Sequence, residues 1–281
     1  MRPRSVRHHR LAISVALAGL VCAAPAAAFE GTVTQRVVAI TPDGLRALLG
    51  DKVDAAAAFA MPEAKLAQAI RDAAPGVQQV ISTIQVKGRM FRVDMKVNDQ
   101  PASMLVDSAS KRTLILLPEA RQYVEWTAAD RAAMAKQLAD EQAKSGVKPT
   151  PFPQPAVKAL GRTGRINGEL SEELEAREDD RISIGWVSKA HPELLQALRD
   201  AAKAQQGARP TRPSPMEVFA ERGLPMLVKT FENGRYEQTD LARIVPGPLS
   251  DTLFAIPEGY TKGVVGTPTP AAAAAATPAA P

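Results

Sequence analysis

The sequence predicts an α+β fold, an antiparallel sheet with several helices set against it, and three observations carry that prediction. In GRMFRVDMKVND, Phe91, Val93, Met95 and Val97 alternate with Arg92, Asp94 and Lys96, which is the period of a strand with one buried face. In PMLVKTFENGRYEQTDL, the pair Asn233-Gly234 separates two strand-like runs, a strong two-residue hairpin signal. Among such runs stand PEAKLAQAIRDAAPG and PELLQALRDAAKAQQG, whose apolar residues recur at helical spacing between start and stop signals.

Taken in order, GTVTQRVVAI reads as an edge strand leading into a helical insert over 41–76. Thr41 can cap the first helix there, Pro42 suits its first turn and Gly50 can stop it. Leu66, Ala69, Ile70 and Ala73 line one side of the next, which ends at Pro75 and Gly76. After the strand of 90–97, ASMLVD and TLILLPEARQYVEW continue the sheet through short turns, as antiparallel neighbours would. TAADRAAMAKQLADEQAKSG then reads as a helix with a weakly apolar face, opened by Thr127 and Asp130 in capping-box spacing and closed at Gly146. KPTPFPQP, residues 148–155, has proline at every second position from 149 to 155 and must be an extended connection. Strands follow near GRINGELSEELEA and RISIGWVSK, then a helix with Leu194, Leu195, Leu198 and Ala202 on one side, then the hairpin. In the closing LFAIPEGYTK, Phe254 and Ile256 are expected to alternate inward as a last strand. Pro257 would end its hydrogen bonding, and Gly259 would permit the turn that lays Tyr260 back on the sheet.

The two ends of the chain read differently. Arg2, Arg4, Arg7 and Arg10 precede the apolar run LAISVALAGLVCAAP and the small residues AAA, the order of a cleavable secretory signal peptide over residues 1–28. The expected protein is therefore exported and periplasmic, with Phe29 as its first residue and no transmembrane segment. Cys22 follows the bulky Val21 where a lipoprotein signal carries a small residue, which favours ordinary cleavage. Residues 29–263 suffice for a single domain with a sizeable core. Residues 264–281, mostly alanine, proline and threonine, cannot offset their ordering entropy by burial and read as a disordered tail.

Removing the signal excludes several functions. Its four arginines leave 31 of the 35 basic residues against 30 acidic ones, so the basic charge belongs mostly to the signal and no patch for nucleic acid remains. His8, His9 and Cys22 leave too, so one histidine and no thiol are left, which removes disulfides, zinc clusters and cysteine nucleophiles. His191 precedes Pro192 at the start of a helix, where it reads as a capping or solvated residue. Ser108-Ala-Ser-Lys111 has the spacing of a serine–lysine pair but lies in a turn between two strand-like runs. EELEAREDD, residues 172–180, lacks the ligand pattern of a calcium loop and reads as a solvated connection. The sequence therefore names no catalytic residue, metal ligand or cofactor.

The order FEGTVTQ, VKGRMFRVDM, a turn with Asp107, LLPEARQYVEW, GRINGELSEEL, ISIGWVSK, GLPMLVKT and LFAIPEGYTK resembles the periplasmic proteins of domain-of-unknown-function family 4412. The most telling matches are Gly88 with Arg92, Pro118 with Tyr123, Gly168, Trp186 and Phe254-x-Ile256-Pro257-x-Gly259-Tyr260. Ser171 and Leu174 depart from the cysteine and aromatic that relatives often carry. That family is similar to the outer-membrane lipoprotein carriers. The resemblance implies a strongly curved antiparallel half-barrel with helices covering an apolar concave face that holds acyl chains. The expected function is thus a non-enzymatic binding module for a lipid or other apolar ligand, with Phe91, Val93, Met95, Met104, Val106, Leu114 and Leu116 lining the cavity. The alternative is an envelope interaction or assembly protein with a filled core, an envelope protein partner and no ligand.

Overall fold

The computed structural model describes residues 28–97, 100–145, 155–205 and 212–263. Residues 1–27 of the expected signal peptide, the expected tail and all but the last residue of the proline connection lie outside them. The chain begins with strand β1 (Glu30–Ile40) and three helices, α1 (Pro42–Leu49), α2 (Ala55–Phe59) and α3 (Glu63–Arg71). Five strands follow: β2 (Val77–Lys87), β3 (Met90–Val97), β4 (Gln100–Asp107), β5 (Arg112–Leu117) and β6 (Gln122–Trp126). Helix α4 (Ala128–Ser145) leads to β7 (Ala156–Ile166), β8 (Glu169–Glu178), β9 (Arg181–Ser188), α5 (Pro192–Gln205) and α6 (Pro215–Ala220). The hairpin β10 (Leu224–Glu232) and β11 (Arg235–Pro246), a 3₁₀ turn (Asp251–Phe254) and the short β12 (Thr261–Lys262) complete it.

All twelve strands belong to one open sheet in the order β12-β6-β5-β4-β3-β2-β1-β11-β10-β9-β8-β7, antiparallel except where β12 joins β6. The chain meanders outward from β1 to β6, restarts at the far edge with β7, and works inward until β11 closes against β1. β1 is therefore central, not the edge strand that its sequence predicts. Its second neighbour lies some 200 residues downstream, beyond the reach of any local pattern.

Local chemistry explains the boundaries. The Thr41 hydroxyl accepts from the Gly44 amide (3.2 Å), Pro42 opens α1, and Gly50 stops it at φ 78°. Ser214 and Glu217 form a reciprocal capping box at α6. Asn233 and Gly234 both take positive φ, 50° and 71°, as the tightest hairpin turn requires.

Successive side chains of a strand point to opposite faces, so β1 has two cores. Val33, with Ile84, Val86, Phe91, Val106, Met226 and Leu241, packs under α5 through Leu194, Ala197, Ala201 and Ala204. The small alanines let the helix lie close to the sheet. Farther along this first face, Phe219 of α6 packs over Gly185, where an added Cβ would stand 2.6 Å from the ring. Val38, Ile40 and Tyr236 point the other way and pack against Leu45, Ala58, Met61 and Leu66 of α1–α3. The helices therefore divide between the two faces instead of gathering on one, because opposite ends of β1 are apolar on opposite sides.

Two further expectations are corrected. Residues 172–178 of the acidic run are part of β8, where Leu174 and Ala176 are buried and the buried Glu173 pairs with Arg162. Carboxylates with arginine partners, interleaved with buried apolar residues, look in sequence like a solvated run. The LFAIPEGYTK segment is not a terminal strand: it forms the 3₁₀ turn, a bend and the two-residue β12. Phe254 is buried and Tyr260 does lie back against the sheet, beside Leu105, Leu114 and Leu116.

Candidate functional site

The register of β2–β6 places one aliphatic row across five strands of the first face. Ile84 stands opposite Val93, Val93 opposite Met104, Met104 opposite Ile115, and Ile115 opposite Val124. The row continues inward to Val33, which is wholly buried under α5, and Ile84 is 8% exposed. The remaining four are half-buried, Val93 and Met104 against the core beneath α5. Met95, Ala102 and Leu117 form a second half-buried row beside it.

Charge sharpens the contrast between faces. The charged residues of these five strands, Lys87, Arg92, Asp94, Lys96, Asp107, Arg112 and Glu125, all register on the second face. A cation reaches the first face at its rim. Arg131, at the start of α4, donates to the Thr113 hydroxyl (3.4 Å) and the Trp126 carbonyl (3.5 Å). A surface of this kind offers dispersion contacts and water release to an apolar molecule.

The seven residues expected to line a cavity fall into three settings. Phe91 and Val106, 2% and 1% exposed, are filled core beneath α5. Val93, Met95 and Met104 are the half-exposed members of the first face. Leu114 and Leu116 do not join them: they are on the second face, buried with Leu105 under Tyr123, Ile256 and Tyr260. Reading TLILL without its register selects the wrong parity, and Ile115 and Val124 are the residues that belong to the row.

The other candidates have structural employment. The Ser108 hydroxyl donates to the Arg89 carbonyl (3.1 Å), and the Asp107 carboxylate accepts from the Ser110 hydroxyl (2.6 Å) and the Ala109 amide (2.9 Å). The Ser110 hydroxyl, more than the neighbouring amides or Arg112, holds the Asp107 carboxyl below the usual range, so this turn is fixed as the β4–β5 connection. His191 opens α5 at φ 55° with Nε2 3.2 Å from Glu169 Oε1. Among the described residues no group of His, Cys, Asp and Glu could hold a metal ion, and no helix is long and apolar enough to cross a membrane. A shallow surface depression lies away from the apolar row, against Ala176, Arg181, Ser183, Pro215 and Val218.

Comparisons with known proteins add the following. No match is found among curated proteins. Solved structures include an uncharacterized conserved protein from Thermus thermophilus, at 10% identity and a TM-score of 0.39, covering 83% of this chain and 90% of that one. Two crystal forms of PNGF-II align at 9% and 10% identity, each with a TM-score of 0.33 and 83% of this chain covered, over 30% and 31% of their own length. Residues 70–260, which run from the end of α3 through Tyr260 and hold the whole apolar row, match the family described as Domain of unknown function (DUF4412), and the chain belongs to that family.

Proposed function

We propose that the protein is an exported, periplasmic, non-enzymatic binding module that takes an apolar ligand, an acyl chain or a molecule like it, on the uncharged face of β2–β6. The observation that carries this reading is the row Val93, Met104, Ile115 and Val124, left half-buried on the uncharged face while Val33 and Ile84 of the same row are buried. Full burial of one such side chain is worth roughly 1.5–3 kcal/mol, and each of the four keeps part of its surface in water, so a chain lying along the row would recover a fraction of that at each of them. The methionines adapt their shape to an irregular ligand. A half-barrel curved around α5, as the likeness to the lipoprotein carriers implies, would make this face concave. The contacts of α5 with both β4 and β10 support such curvature. The basic and apolar opening of the sequence supports export.

Protein purified from its native envelope should release a bound lipid or other apolar compound on extraction, seen by mass spectrometry. It should also bind a fluorescent fatty-acid probe. Ile115→Glu and Val124→Glu put a carboxylate on the uncharged face and should weaken the probe by about tenfold or more. Empty protein that ignores the probe would overturn the reading. It would favour the second one, an envelope assembly protein with a filled core, which the complete burial of Phe91 and Val106 supports. In that case crosslinking should yield a stoichiometric protein partner without lipid.

A further inference from the structure

We propose that the outer edge of β7 is a docking edge for an extended, acidic segment of another protein, which would add to the sheet as a further strand. β7 ends the sheet: it runs for 11 residues with β8 as its one strand neighbour among the described residues, and most of it is exposed. An edge of this kind offers a row of backbone donors and acceptors to an incoming chain.

The charges select the partner. β7 carries Lys158, Arg162 and Arg165 and no acidic residue. The strand it already accepts, β8, carries Glu169, Glu172, Glu173, Glu175 and Glu178 against the single Arg177. Lys158 registers opposite Glu175, and Arg162 pairs with the Glu173 carboxylate. The other side of β7 meets the same basic side chains, so an acidic strand is matched there. A second copy of β7, itself basic, would bring like charges together.

Two apolar groups stand beside this edge, one on each face. Trp186 of β9 reaches across β8, so that a Cβ added at Gly164 would lie 3.2 Å from its indole. Leu170, opposite Arg165, is 64% exposed. A half-buried tryptophan at the rim of an edge with no second strand among the described residues is the residue type that anchors interfaces. Between Ala159 and Thr163 the register shifts around Gly161, at φ 72°, which divides the edge into two short ladders. Basic side chains and bulges also serve to keep edges from pairing at all. The two roles differ in outcome: a purely protective edge binds no strand of either charge.

The test uses the purified full chain and two labelled peptides of about ten residues, one alternating glutamate with valine and one alternating lysine with valine. The glutamate peptide should bind at least about tenfold more tightly, and its affinity should fall about tenfold between low and high salt. Hydrogen exchange of the amides of 156–166 should slow on binding. Lys158→Glu combined with Arg165→Glu, both at exposed positions, should reverse the preference. The milder Lys158→Gln with Arg165→Gln should abolish it if the reversed pair proves unstable. Equal affinity for the two peptides, binding of neither, protection away from β7, or a preference unchanged by the substitutions would each overturn the proposal. So would self-association of the chain through this edge.

Discussion

Strands β3–β6 have two faces that differ in an unexpected way: the face with the charges is the covered one, and the face without them stands half open. On the second face Leu105, Leu114 and Leu116 are at most 5% exposed beneath Ile256 and Tyr260. The charges around them act as fasteners. The Arg92 guanidinium binds the Leu253 carbonyl (3.0 Å) as well as Asp94 (2.8 Å), and the Lys87 ammonium binds the Leu249 carbonyl (2.8 Å) and Asp251 (2.7 Å). At the sheet's edge Lys262 reaches Glu125 (2.6 Å), which also pairs with Arg112. The first face has no strand charge to hold a strap, and α5 covers only its inner rows. A polar rim is thus what lets the chain's own terminal segment dock, and an uncharged face is left to something without charge.

Two adjacent residues break or sharpen this comparison. Leu116→Ala empties a filled site on the second face and should cost about 3 kcal/mol, read from urea unfolding, with probe affinity of the folded fraction unchanged. Tyr260→Ala removes only the lid of that cluster and should cost about 1–2 kcal/mol, again without effect on the probe. Ile115→Ser, one residue from Leu116 but on the half-open face, should cost less than about 1 kcal/mol yet weaken the fatty-acid probe several-fold. If Ile115→Ser destabilised the protein as much as Leu116→Ala, the first face would be a core like the second, and the binding reading would fall.

The sequence made much of the fold legible and less of the site, and the residues show why. Thr41, Gly50 and Asn233-Gly234 act within a few positions of themselves, so their roles are written locally. The place of β1 is not, because its pairing with β11 depends on a strand that arrives after the whole meander. For the site, Phe91, Val93 and Met95 alternate with charges, which fixes their common face. TLILL has no charged residue to mark parity, and only the register across the β4–β5 turn distinguishes Ile115 from Leu114 and Leu116. The closing segment shows the same limit: its aromatics announce packing, but proline and glycine allow a 3₁₀ turn as readily as a strand end.

The smallest effect expected concerns the fastener at the sheet's edge. Its two partners titrate in opposite directions. The Lys262 ammonium, then Arg112, holds the Glu125 carboxyl below the usual range, and Glu125 in turn raises Lys262. A carboxyl lowered on folding contributes stability that is fully present above its unfolded range and is lost as pH falls through its folded value. An ammonium raised on folding contributes below its ordinary value and loses that contribution only as pH rises through the higher folded one. The fastener therefore holds across neutral pH and opens first on the acid side. Because both side chains meet solvent, the change should show locally, not as global unfolding. Acid titration followed by NMR should report Glu125 with a low midpoint and loss of exchange protection at Gly263, whose amide donates to the Tyr123 carbonyl (2.8 Å). Lys262→Met should move the Glu125 midpoint upward, toward an ordinary glutamate, while leaving the fatty-acid probe on the opposite face unaffected. A coupled change in probe affinity would mean that the two faces are not independent.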